Sequence, residues 1–234
     1  MTVHLYTAAG KDLFQDIKKA KQLGCVGILT NVELLLEMFG SGHTPTEMTR
    51  KLLEMDKEMK VFMSVYGESA KEMIQMAHDC CRLSKRVGVK IPSCEEGFLA
   101  IRQLSKEGID CIATTLFTYS QAYMALATGA YAISPFMHRG QNEGLDMNET
   151  LRQIRALYDR YENAPEILAA SIRTGQEAQE AILNGADAIA AHYGVLAEMM
   201  NSSPSRKVIR SWDKPIDLLN ADQKIKQHYI AKDE

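Results

Sequence analysis

The sequence predicts an α/β protein, a single (β/α)8 TIM barrel with a C-terminal helical extension. Short apolar runs rich in Val, Ile and Ala alternate with amphipathic helical patterns along the chain. This alternation is typical of parallel strands joined by helices. A length of 234 residues is usual for one such barrel. We place the barrel at residues 1–200. A polar tail at 201–234 is predicted to form helices that pack on the barrel or on a neighbouring subunit.

Eight runs are predicted as strands, and each is followed by a helical pattern. In chain order they are 3–7, 26–31, 60–66, 87–92, 111–117, 131–136, 166–171 and 188–193. The helix after the third run is the clearest, because Ala70, Met73, Ile74, Ala77 and Cys81 recur at spacings of three and four. A doubly wound open sheet would also alternate, but it more often has a glycine-rich phosphate loop after its first strand. The segment TAAGKDL is a poor match to such a loop, which favours the barrel.

Composition and charge limit the classes of function. The formal net charge of -3 gives no electrostatic reason to expect binding to nucleic acid or to an anionic membrane. No apolar run is long enough to span a bilayer, and the segment MTVHLYTAAGKDL lacks a signal-peptide pattern. The five cysteines form no CxxC pair and the six histidines show no metal-ligand spacing. We therefore expect a cytoplasmic protein with reduced thiols, no metal and no other cofactor.

One lysine suggests the chemistry. Side chains of a barrel strand alternate between the interior and the helix layer, so Lys90 faces inward if Val89 and Ile91 face the helices. It lies near the carboxyl end of the fourth predicted strand, where barrel enzymes have their active sites. Burial disfavours the charged amine, and a neutral amine can form a Schiff base with a ketone. A lysine that reaches solvent at the barrel mouth, or that binds a carboxylate, is the alternative.

The chain contains the segments VKIPSCEEGFLAIRQLSKEGI, ISPFMHR and LAASIRTGQEAQEAILNGAD. Together they resemble the small transaldolase and fructose 6-phosphate aldolase family, with the motifs in the family's order. The resemblance implies a (β/α)8 class I aldolase whose Schiff-base lysine on the fourth strand is Lys90. It also implies that Thr114 helps to hold the catalytic water and that Asn31 lies near the lysine. The residues that match the family's substrate-phosphate group are Arg139, Ser171 and Arg173.

The phosphate assignment also has support from the residues themselves. Arg139 follows the sixth predicted strand, and the segment SIRTGQE leads from the seventh strand into a helix. A serine hydroxyl, a forked guanidinium and free helix N–H groups at one barrel rim suit a phosphate monoester. The spacing alone also allows both arginines to be ordinary solvated loop residues.

The sequence departs from the family pattern around the lysine. The family's first-strand Leu-Asp-Thr is Leu-Tyr-Thr at residues 5–7, so the aspartate of acid–base chemistry is absent. The third-strand Gln or Glu that helps to hold the water is Ser64. The sixth-strand position after Ser-Pro is Phe136, which is tyrosine in the aldolases and phenylalanine in the transaldolases. We predict that Tyr6 passes a proton through a water in place of the aspartate, with Tyr66 as the second candidate. Core packing is the alternative for both.

The resemblance implies a Schiff-base enzyme of carbohydrate metabolism, as in the pentose phosphate pathway. It would transfer or cleave a dihydroxyacetone unit of a ketose phosphate such as fructose 6-phosphate. Phe136 favours a transaldolase slightly over a free aldolase. Two alternatives stay open: a sugar-phosphate-binding barrel that has lost aldol chemistry, and an aldolase-type lyase with altered donor specificity. The resemblance also implies a homo-oligomer, in rings of five or ten.

Overall fold

The computed structural model describes residues 4–8, 13–40 and 42–212 of the chain. Its strands are β1 (His4–Ala8), β2 (Gly27–Leu29), β3 (Lys60–Ser64), β4 (Val87–Pro92), β5 (Cys111–Leu116), β6 (Ala132–Pro135), β7 (Glu166–Ile172) and β8 (Ala188–Ala191). Neighbouring strands pair in parallel, and pairing of β1 with β8 closes the barrel. The predicted (β/α)8 barrel is confirmed.

Helices follow the strands around the outside of the barrel. They are α1 (Leu13–Gln22), α2 (Val32–Phe39), α3 (Pro45–Met55), α4 (Ala70–Cys81), α5 (Glu95–Lys106), α6 (Tyr119–Thr128), α7 (Met137–Asn142), α8 (Met147–Tyr158), α9 (Gly175–Leu183) and α10 (Tyr193–Met200). Strand β2 is shorter than the predicted run 26–31, because Asn31 ends the extended segment and caps α2. The Asn31 Oδ1 atom accepts a hydrogen bond from the Leu34 N–H at 2.6 Å.

Apolar side chains form two layers, one between the strands and the helices and one inside the barrel. On β4, Val89 and Ile91 belong to the outer layer, which leaves Gly88 and Lys90 facing inward, as the alternation predicts. Inside the barrel, the Phe62 ring fills the space next to Gly88, where an added Cβ would lie 2.6 Å from the ring. The interior is therefore packed below the lysine by the Phe62 ring.

The start of α5 is packed tightly against the carboxyl end of β4. A Cβ atom on Gly97 would lie 1.9 Å from the Pro92 carbonyl oxygen, so no side chain fits at this position. In the same turn, the Glu96 carboxylate accepts a hydrogen bond at 2.7 Å from the backbone N–H of Ala70, the first residue of α4. These contacts fix the strand end that carries Lys90 between two helices.

The chain divides into two compact units, Met1–Leu196 and Ala197–Glu234. The second unit contains α11 (Ser203–Ser211), which begins after Ser202, whose hydroxyl accepts a hydrogen bond from the Ser205 N–H. Residues 213–234 of the predicted extension lie outside the described residues, and the packing of this extension stays a prediction. Among the described residues, no helix is long and apolar enough to cross a membrane.

Candidate active site

A cavity of about 670 Å³ lies at the carboxyl end of the barrel, where barrel enzymes carry their chemistry. The predicted site residues that line it are Asn31, Ser64, Tyr66, Lys90, Thr114, Phe136, Arg139, Ser171 and Arg173. Tyr6 is absent from the lining that the described residues form. The fold thus brings together residues that lie far apart along the chain.

Lys90 is buried at the floor of this cavity, with 6% of its surface exposed. Its Nζ atom donates a hydrogen bond to the Thr30 carbonyl oxygen at 3.0 Å, and the Ser64 hydroxyl donates to the same oxygen at 2.8 Å. Within the described chain, no carboxylate forms an ion pair with Lys90. Burial and the nearby charge of Arg139 lower the pKa of Lys90 to about 8. A neutral, nucleophilic amine is therefore accessible close to physiological pH.

Two residues of the cavity lining have a strained backbone. Thr115 has a φ of 54° and Ser171 a φ of 55°, values that side chains other than glycine rarely adopt. Each lies at a register shift, in the pairing of β5 with β6 and of β7 with β8. Within the described residues, the hydroxyl oxygens of Thr114 and Ser171 are buried and have no hydrogen-bond partner. Strain and unpaired hydroxyls are costly for folding, which is typical of a binding site.

The two arginines lie on one side of the cavity mouth, because they follow the neighbouring strands β6 and β7. The Arg139 guanidinium lies over the Phe136 ring, 5.4 Å from its centroid. Arg173 is exposed, and its backbone N–H donates a hydrogen bond to Glu177 at 2.7 Å. These guanidinium groups form a positive rim that, with the Ser171 hydroxyl of the same cavity, can bind an anion.

Tyr6 faces the opposite end of the barrel. Its hydroxyl donates a hydrogen bond at 3.2 Å to Glu166, the first residue of β7, and its ring packs against Phe62. Burial, followed by the charge of Glu166 and the neighbouring Tyr131, raises the pKa of Tyr6 well above its ordinary value. This placement does not agree with the prediction that Tyr6 replaces the aspartate as proton carrier. The Tyr6 ring lies against Gly27, where an added Cβ would be 2.8 Å from the ring, and its hydroxyl points to the amino-terminal end of β7.

Tyr66 is the predicted proton carrier that does reach the site. It lies two residues beyond the end of β3, lines the cavity and is about half exposed. Its phenol can therefore meet both a substrate and solvent.

Several lining residues were missed by the sequence reasoning. They are Asp16, Thr30, Glu33, Glu37 and His192. The position of His192 directly after β8 is enough to predict that it lies at the rim. Glu33 could not be predicted in this way, because an acidic residue in the first turn of a helix is common. In the part of the chain that the structure describes, no group of three His, Cys, Asp or Glu residues is arranged to hold a metal ion.

The family model described as transaldolase/fructose-6-phosphate aldolase matches residues 5–234. The chain belongs to this family. A probable transaldolase from Maridesulfovibrio salexigens is 34% identical over 186 residues, which cover 79% of this chain and 85% of the relative. A probable transaldolase from Dinoroseobacter shibae is 34% identical over 203 residues, covering 85% and 92%. The protein is an enzyme of the transaldolase family.

Solved structures add information on the fold alone. A thiamine phosphate pyrophosphorylase from Pyrococcus furiosus superposes with a TM-score of 0.53 at 16% identity, over 80% of this chain and 84% of that one. A flavocytochrome b2 variant gives a TM-score of 0.53 at 13% identity, over 80% and 56%. At these identities, the likeness concerns the architecture and says nothing about the reaction.

Proposed function

We propose that Lys90 forms a Schiff base with a ketose phosphate such as fructose 6-phosphate, and that the enzyme transfers a dihydroxyacetone unit to an aldehyde acceptor. The observation that supports this most strongly is the state of the amine. It is buried at the cavity floor, has a backbone carbonyl as its partner, and has a pKa lowered to about 8. A buried amine that has no carboxylate partner among the described residues is not held in its charged, unreactive form.

The reaction follows from the chemistry of the imine. The neutral amine attacks the C2 carbonyl, and loss of water gives an iminium ion. A base removes the proton of the C4 hydroxyl, the C3–C4 bond breaks, an aldehyde leaves, and the bonding electrons form an enamine on the lysine. In transfer, the enamine attacks the acceptor aldehyde, and hydrolysis then releases the new ketose and the free amine.

We assign the proton transfers to Tyr66 and to a water held by the unpaired Thr114 hydroxyl. Tyr66 lines the cavity, whereas the Tyr6 hydroxyl is bound at the other end of the barrel. The phosphate would bind Arg139, Arg173 and the Ser171 hydroxyl, which provide charge-assisted and neutral hydrogen bonds on one side of the mouth.

Transfer is favoured over simple cleavage because the curated relatives are named probable transaldolases. Phe136 agrees with that choice. A specific observation also supports a second candidate, a sugar-phosphate-binding barrel without aldol chemistry. The family aspartate is absent, and Tyr6 in its place does not reach the cavity. Cytoplasmic location, action in the pentose phosphate pathway and assembly into rings of five or ten stay predictions.

Borohydride trapping distinguishes the two candidates. Reduction in the presence of fructose 6-phosphate or dihydroxyacetone should add a stable mass to the intact protein, and peptide mapping should locate it on Lys90. Lys60 and the other lysines serve as internal controls in the same spectrum. Sugar-phosphate binding without any trapped adduct would favour the binding protein.

The arginine rim has its own test. Arg139→Ala and Arg173→Ala should each weaken the use of phosphorylated substrate by about 1.5–3 kcal/mol, the usual contribution of a charge-assisted contact. The use of unphosphorylated dihydroxyacetone should hardly change. Equal losses on both substrate types would assign the arginines a structural role.

A further inference from the structure

An ion pair crosses the mouth of the cavity. The Arg139 Nη2 atom lies 3.3 Å from the Glu33 Oε2 atom, and both residues line the cavity. Arg139 follows β6 and Glu33 follows β2, and these strands stand four positions apart in a closed barrel of eight. The two side chains therefore come from opposite sides of the mouth and meet in the space that a substrate must enter.

Both partners are positioned by their local structure. Glu33 is the second residue of α2, whose start is fixed by the Asn31 cap, and a carboxylate is favourable at a helix N-terminus. Arg139 lies over the Phe136 ring. The Glu33 side chain is 81% exposed, so water can solvate the carboxylate when it leaves the arginine, and the ion pair is readily exchanged.

We propose that Glu33 competes with the substrate phosphate for Arg139 and thereby determines how strongly the enzyme selects phosphorylated substrates. The assignment of the anion as a sugar phosphate rests on the proposed function; the competition for the guanidinium does not. Glu33 makes no bond to the reacting atoms in this scheme and acts only through Arg139.

The competition has a predictable direction. A phosphate monoester carries about -1.5 to -2 charges at neutral pH and has three acceptor oxygens, so it displaces a single carboxylate from the guanidinium. This competition lowers the affinity for phosphate, and it does not act on an unphosphorylated sugar. Removing the charge of Glu33 should therefore tighten anion binding selectively.

The test is a phosphorus NMR titration of wild type and Glu33→Gln with inorganic phosphate at constant ionic strength. An exposed ion pair is worth roughly a twofold to fivefold change in affinity, and Glu33→Gln should bind phosphate more tightly by about that factor. Glu37→Gln is the matched control, because Glu37 lines the same cavity one turn later on α2. It should change phosphate affinity by clearly less. Equal effects of the two variants, or no effect of Glu33→Gln, would overturn the proposal.

A double-mutant cycle assigns the effect to the arginine. In the Arg139→Ala background, Glu33→Gln should no longer change phosphate affinity, and a gain that persists there would contradict competition for this guanidinium. In steady-state kinetics, Glu33→Gln should lower the KM for fructose 6-phosphate by the same factor. The kcat and the KM for dihydroxyacetone should be unchanged. Because phosphate binding needs no Schiff base, failure of the aldol chemistry would leave the binding test intact.

Discussion

The barrel has one inward lysine on each of two neighbouring strands, and their environments differ in kind. Lys60 begins β3 at the amino-terminal end, where its Nζ atom lies 2.7 Å from Asp110 and 4.6 Å from the centre of the Tyr131 ring. Burial acts to lower the pKa of Lys60, but the hydrogen bond and charge of Asp110 outweigh it, so the pKa is raised. Lys90 lies near the carboxyl end of β4 with a carbonyl partner, and its pKa is lowered.

The two ends of the barrel therefore treat their polar groups differently. At the amino-terminal end, the polar groups satisfy one another: Lys60 pairs with Asp110, and Tyr6 donates to Glu166. At the carboxyl end, in the described residues, Thr114 and Ser171 have buried hydroxyls without partners. The carboxylate partners hold Lys60 and Tyr6 in place, whereas the hydroxyls left without partners can bind a ligand.

The largest effect is expected from removing each amine in turn. Lys90→Met keeps the length of the side chain without the nucleophile, and it should abolish both turnover and borohydride trapping. Lys60→Met should retain trapping at Lys90 and most of the activity. Intact-mass spectra after reduction, with coupled assays of both variants, provide the measurement. Trapping that survives in Lys90→Met would locate the Schiff base elsewhere.

The two tyrosines give the next largest contrast. Tyr66→Phe should slow ketose cleavage by about 100-fold, the low end for general acid–base catalysis, while trapping survives. Tyr6→Phe should change kcat by less than about threefold and lower stability by about 1 kcal/mol, the usual contribution of a hydrogen bond. Steady-state kinetics and urea unfolding of both variants separate these outcomes. A 100-fold loss in Tyr6→Phe would restore the role first predicted for that residue.

The lysines should also differ in their effect on stability. The pKa of Lys90 is about 8 in the folded protein, against an ordinary value of 10.5. As the pH falls below 10.5, Lys90 is protonated in the unfolded chain before it is protonated in the folded protein. This difference destabilises the folded state, and the effect is complete below pH 8. At pH 7, Lys90→Met should therefore raise the free energy of unfolding by about 1–3 kcal/mol.

The gain in the free energy of unfolding of Lys90→Met should shrink as the pH rises from 8 towards 10.5. Lys60→Met loses a partly exposed ion pair and should lower stability by no more than about 1 kcal/mol. Urea unfolding between pH 7 and pH 10 measures both variants. A gain for Lys90→Met that did not depend on pH would point to packing as its cause.

The smallest effect concerns backbone strain at the cavity. Ser171→Gly allows the φ of 55° without a side chain and should raise stability by about 0.5–1 kcal/mol, while the use of phosphorylated substrate falls. Ser171→Ala keeps the strain and removes only the unpaired hydroxyl, so it should weaken phosphate use with a smaller gain in stability than Ser171→Gly. Thermal unfolding of the two variants tests the pair, and equal melting temperatures would argue against strain at this residue.

The sequence by itself determined the barrel and the strand ends at which the candidate site lies. Strand alternation and helical periodicity are local properties, so the inward direction of Lys90 on β4 follows from the identity of Val89 and Ile91. The carboxyl ends of parallel strands meet at one rim, and this is why Arg139, Ser171 and Arg173 were expected together and do line one cavity. The roles of these residues stay predictions.

Only the tertiary structure decided which partner each polar group has. Strand position places Tyr6 inside the barrel, but the direction of a long phenol depends on the space beside Gly27 and on the carboxylate of Glu166, 160 residues away. The Glu33–Arg139 ion pair likewise joins residues 106 positions apart across the mouth. Such contacts are set by the closure of the sheet and by packing, and no local pattern of residues contains them.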